Sequence, residues 1–142
     1  TAALSTPTPM YYEYTDFADG ISIQNDDLDR PSRIKFASTG IYNLQFSAQY
    51  HHLGGGGSGQ TVNIWLKKNG VNVSSTDTKQ IVPSNGPYQV PAWNFFVQVT
   101  STNDYYELYW ITDNANVEIE LEPEGTYTPA IPSIILTVNQ ID

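Results

Sequence analysis

An all-β antiparallel sandwich is the fold class that this sequence predicts, on three observations. Residues 40–50 alternate apolar and polar side chains without a break, and an Asn69-Gly70 pair separates two further alternating runs. No window carries a sustained helical period or a helix-capping box. Because successive side chains of a strand point to opposite faces, Tyr42, Leu44, Phe46, Ala48 and Tyr50 share one face, and Asn43, Gln45, Ser47 and Gln49 share the other. This is the pattern of a half-buried strand in an antiparallel sheet.

Taken in order, residues 1–10 hold two prolines among Ser, Thr and Ala, and read as an extended connector to something upstream rather than a packed element. A single domain is expected over residues 11–142, about the length that buries one core. Strand regions are predicted at 11–14 and 20–24, then a turn at 25–32 rich in Asn and Asp, and a short strand at 33–36 that leads into the long strand. Four consecutive glycines start the 54–59 segment, which is too permissive for a sheet and reads as a flexible loop. The run at 61–68 places Val62, Ile64 and Leu66 on one face and Asn63, Trp65 and Lys67 on the other. It ends at Asn69-Gly70, whose residue types tolerate the positive φ of a type I′ turn, so 71–79 is its expected partner. After a Pro, Gly and Asn loop at 83–91, strands are predicted at 93–100, 105–112, 117–122 and 133–141. In 117–122 the alternation puts Glu118, Glu120 and Glu122 on one face, which must be wet or partnered. About nine or ten short strands joined by turns make a sandwich or jelly roll.

Composition excludes several classes of function. Fifteen acidic against six basic residues give a net charge of -9, which repels phosphate backbones and anionic lipid, so neither nucleic acid nor membrane insertion is expected. No apolar run reaches the roughly 18 residues that span a bilayer as a helix. The absence of cysteine removes disulfides and thiolate metal sites.

The order of segments resembles the jelly-roll head shared by the globular part of the first complement component and the tumour necrosis factor superfamily, in the version found in bacteriophage structural proteins. The matching elements are Gly40-Ile41-Tyr42-Asn43-Leu44-Gln45-Phe46, Ile64-Trp65-Leu66-Lys67-Lys68-Asn69-Gly70, Asn103-Asp104-Tyr105-Tyr106-Glu107-Leu108-Tyr109-Trp110 and the terminal Pro132-Ser133-Ile134-Ile135-Leu136-Thr137-Val138. What the resemblance implies is a ten-stranded jelly roll that forms compact homotrimers and serves as a binding head. Independent of it, Tyr105 and Tyr109 lie opposite Tyr106, Leu108 and Trp110, and Ile135 opposite Ile134 and Leu136, so both faces of these strands call for burial. Tyr105, Tyr109 and Ile135 are therefore candidates for a trimer interface.

Chemistry-bearing motifs are few. His51 and His52 are the only histidines; as strand neighbours they point to opposite faces and do not suit one metal ion together. Asp26, Asp27 and Asp29 are hard oxygen donors of the type calcium takes, but lack the spacing of a calcium loop, and Asx residues are also the common turn formers. No cofactor is expected. The glycine segment lacks the Lys-Ser/Thr of a phosphate loop, no Gly-x-Ser-x-Gly elbow is present, and Asn72-Val73-Ser74 is a three-residue glycosylation match of the sort chance supplies. Paired carboxylates would suit glycoside hydrolysis, yet nothing marks which two face each other, so no enzyme activity is expected. The expectation is a virion structural protein of a bacteriophage: a homotrimeric head at a tail fibre, an appendage tip or the capsid surface, attaching to a host-surface glycan or protein. Loops 53–60 and 82–93 would carry recognition, with Tyr88, Trp93, His51 and His52 as candidate contacts. The alternatives are a capsid cement or baseplate connector that binds only virion proteins, and a carbohydrate-binding module of a larger enzyme.

Overall fold

Alternating side chains in most of the predicted runs become paired strands in the computed structural model, which describes residues 5–54, 60–84 and 88–142. The described residues contain twelve antiparallel strands and no helix. These are β1 (Thr8–Pro9), β2 (Ile21–Asn25), β3 (Pro31–Phe36), β4 (Gly40–Ala48), β5 (Tyr50–His52), β6 (Gln60–Lys68), β7 (Val71–Asn72), β8 (Thr78–Val82), β9 (Ala92–Val99), β10 (Tyr105–Thr112), β11 (Val117–Ile119) and β12 (Ile134–Gln140). Nearly all of the glycine segment expected as a flexible loop, and the middle of the 83–91 loop, lie outside the described residues.

The larger sheet has the order β2-β3-β10-β6, with β7 and β8 both paired to β6 and β1 to β10. A three-stranded sheet has the order β12-β4-β9, and β5 pairs with β11 at one end. The two main sheets bury one core between them in a β-sandwich-like arrangement. Ile34, Ile64, Leu66, Leu108 and Trp110 come from the larger sheet, and Tyr42, Leu44, Phe46 and Val97 from the smaller. Ring contacts tie the two halves: Phe36 meets Tyr42 with centroids 4.6 Å apart, and the Tyr106 hydroxyl donates to the Gln98 carbonyl at 2.9 Å. Removing a side chain such as Leu44 or Leu108, both fully buried, would cost about 2–5 kcal/mol through lost transfer energy and the cavity left behind.

Asn69 and Gly70 take φ of 50° and 82°, as the predicted hairpin requires. Its second arm is divided: β7 pairs with Lys67 and Lys68, the chain leaves the sheet over residues 73–77, and β8 returns to pair with residues 60–64. Gly40 opens β4 at φ 147°, and a Cβ there would run into the Asp142 carbonyl oxygen, which accepts from the Ile41 amide at 2.7 Å. Only glycine lets the last residues lie against the start of β4.

Several expectations are corrected. Thr8–Pro9 is not a free connector: it pairs with Trp110 and Tyr109, and Met10 is buried in the core, because β3 leaves the β10 edge after Tyr106 and the N-terminal segment fills it. Residues 11–14 form no strand; Tyr12 is held by one bond from its amide to the Pro31 carbonyl. The long strand breaks at Gln49, whose amide donates to Ser133, and the predicted strand at 117–122 ends at Ile119.

Candidate functional site

The end of the molecule built by β5, β11 and the segment before β9 collects the candidate contacts that the sequence placed far apart. His51 lies opposite Glu118 in the register of β5 with β11 and points outward. Its Nδ1 donates to Glu120 Oε2 at 2.6 Å, and its ring stacks on Tyr88 with centroids 4.3 Å apart and planes 29° from parallel. The Tyr88 hydroxyl donates to the Glu122 carboxylate. That bond and the carboxylates around it push the Tyr88 hydroxyl up to about 12, so the ring stays neutral as a donor at ordinary pH. The face of three carboxylates expected at 117–122 is thus partnered at Glu120 and Glu122 rather than simply wet. The two stacked rings are rimmed by the carboxylates that hold them; among the described residues no hydroxyl nucleophile bonds to His51.

The other two candidates turn inward. His52 is buried in the core, and neither ring nitrogen has a partner among the described residues. Trp93 opens the core-facing parity of β9 and is half-buried: its ring meets Phe46 edge-on at 4.6 Å, and it also lines a depression with Gln45, Ser47 and Ile135. Alternation alone carried both signals, since each has the parity of the core face of its strand.

Asp26, Asp27 and Asp29 are engaged by the turn they build. Asp26 accepts from the amides of Leu28 and Arg30 and pairs with the Arg30 guanidinium at 2.8 Å, Asp27 pairs with Arg33 at 3.1 Å, and Asp29 accepts from Asn25 at 2.6 Å. Partial burial alone would raise the Asp26 carboxyl, but the Arg30 bonds outweigh it and hold it below the ordinary value. Among the described residues no three His, Cys, Asp or Glu side chains group as a metal set. Chelation followed by added calcium is expected to leave the melting temperature unchanged, since a ligand shifts stability only by binding the folded form. A calcium-dependent rise in that melt would establish the metal reading instead.

The interface candidates separate as well. Tyr105 lies under the Arg33 guanidinium at 4.5 Å, and Tyr109 sits between Trp65 at 6.0 Å and the Lys67 ammonium at 4.1 Å, so both are half-buried by neighbours within the chain. Ile135 remains 52% exposed. It belongs to the outward face of the β12-β4-β9 sheet, where β4 presents Asn43, Gln45 and Ser47, and β9 presents Asn94 and Phe96. Asn94 donates to Asn43 at 2.8 Å across the strands, and Phe96, opposite Asn43, is 69% exposed. No Asp, Glu, Lys or Arg occurs in any of the three strands. Glu120 and Glu122 are legible in the sequence only as a carboxylate face, without their partners His51 and Tyr88, whereas exposure of Phe96 is signalled by the adjacent Phe95-Phe96, one of which must face outward.

Compared with known proteins, the chain matches no protein-family model and no curated protein.

Proposed function

We propose that this domain is a self-assembling, non-catalytic binding head: a jelly roll that forms a homotrimer and serves as a structural component of a bacteriophage virion, attaching to the host surface. The observation that carries the assembly is the uncharged outward face of the β12-β4-β9 sheet in a chain of net charge -9. Copies with this net charge repel one another, and charged residues are depleted at the centre of interfaces, so a broad sheet face without charge is where a second copy meets little opposition. Exposed Phe96 and Ile135 supply apolar area on that face, and the amides of Asn43 and Asn94 supply hydrogen bonds. The trimer rather than another closed assembly, and the virion setting, rest on the resemblance of the four segments to the jelly-roll heads of phage structural proteins.

Light scattering at micromolar concentration tests the assembly. The expected mass is about three times the 15.8 kDa of one chain. Added salt should strengthen association, because screening weakens repulsion between like-charged copies. A mass of a single chain at every salt concentration removes the reading. Purified domain that binds stripped particles but never host cells would favour the cement or connector role.

A further inference from the structure

We infer that a groove on the outward face of the larger sheet, opposite the proposed assembly face, is a binding site for a neutral oligosaccharide. This rests on the reading of the domain as a binding head, and adds to it a site and a ligand class. The floor is made by outward residues of β6 and β10: Asn63 and Trp65, with Ile111 opposite Asn63. The wall is Asn72 at the end of β7 and the excursion that follows it, which sets Val73, Ser75 and Asp77 beside the floor around an open depression of about 510 Å³. That volume lies within the roughly 300–1,000 Å³ of small-ligand sites.

Three features show a built groove rather than a chance dent. The indole is locked in place, since Trp65 Nε1 donates to Asn72 Oδ1 at 2.9 Å and the ring packs against Tyr109. The wall is pinned to the floor through Thr76, whose Oγ1 accepts from the Leu66 amide at 3.1 Å and donates to the Val73 carbonyl at 2.8 Å. Ser75 is held at φ 63°, a left-handed conformation that an ordinary side chain resists, and such strain collects at binding sites.

The lining chemistry selects the ligand. A sugar ring has an apolar C–H face for an aromatic ring and a rim of hydroxyls for amides and carboxylates. Asp77 accepts from Asn63 through both oxygens, at 2.9 and 3.2 Å, and an ionised carboxylate has further lone pairs for ligand hydroxyls. Asn72, with its oxygen taken by the indole, keeps its amide protons to donate outward. The Asp77 carboxylate and the net charge of -9 disfavour sialylated or sulfated glycans. One indole without a parallel aromatic ridge does not form the slot that a proline-rich peptide needs.

The test is a panel of immobilised neutral and sialylated oligosaccharides, with affinities then measured in solution by intrinsic tryptophan fluorescence and calorimetry. A neutral member is expected to bind, and Trp65→Ala to weaken it about tenfold or more while the melting profile is retained. Should Trp65→Ala fail to fold, Asp77→Ala, on an exposed side chain, serves instead and is expected to weaken binding several-fold. Absence of any neutral ligand at millimolar concentration, binding confined to sialylated members or to a proline-rich peptide, or neutral binding untouched by both variants each overturns the site. Mass measured on the same samples keeps the outcomes separate, since assembly can persist when the groove fails, and each groove can bind when assembly fails.

Discussion

Asp104→Ala is expected to lower the free energy of unfolding by about 3 kcal/mol, because it removes a nearly buried carboxylate that several donors converge on. Asp104 is 7% exposed and accepts from Asn69 Nδ2 at 2.9 Å, the Thr100 amide at 3.0 Å and the Ser101 amide at 3.1 Å, with the Lys68 ammonium at 3.2 Å. Asn69 also accepts from the Tyr105 amide, so this carboxylate joins the turn before β10 to the hairpin after β6. The Asn69 bond first, and then the two amides and Lys68, hold the Asp104 carboxyl well below the usual carboxylate range, against a smaller opposing effect of burial. Asp113, bonded by Thr61, shifts the same way.

The sign for pH follows from that direction. A carboxyl whose folded pKa lies below its unfolded value of about 3.9 contributes fully above that value and loses its contribution as pH falls toward the folded pKa. Urea unfolding at pH 7 should therefore separate the parent from Asp104→Asn by more than it does near pH 2.5. A difference that stays constant across that window would mean that the side chain acts through shape alone.

Phe96→Asp is expected to convert the assembly to monomers at micromolar concentration while leaving the fold intact. Phe96 is 69% exposed in the middle of β9, so its replacement removes little from the core, and a surface change of this kind shifts stability by about 0.5 kcal/mol. In a closed interface the same change places a carboxylate on every copy of a face that otherwise has none, and an unpaired buried charge is costly. Sedimentation should give a single-chain mass for Phe96→Asp and an intermediate weakening for Phe96→Ala. Assembly of Phe96→Asp at parent affinity would show that copies meet elsewhere, and Ile135→Asp would then be expected to have no effect either.

Local periodicity was enough to place most of the strands and their faces in advance. Side chains of a strand alternate whatever it pairs with, so Val62, Ile64 and Leu66 were assigned to the core from spacing alone, and Asn69-Gly70 marked its turn through a backbone requirement within two residues. Thr8–Pro9 could not be read this way. Two residues show no period, and they are a strand only because Tyr109 and Trp110, a hundred positions later, leave an open edge beside them. The same limit hid the site. His51 and Tyr88 were named singly, but Glu120 reaches His51 across 69 positions, and nothing in either local sequence states that β5 pairs with β11. The three chargeless runs at 40–48, 92–99 and 134–140 were each visible as composition; that they form one uncharged face depends on β4 lying between β9 and β12. Alternation, turn chemistry and charge are properties of neighbours in the chain and were determined by the sequence itself. Which strands share an edge, and so which side chains meet, was decided only in the tertiary structure, where pairing across long separations is chosen by the burial of the whole core.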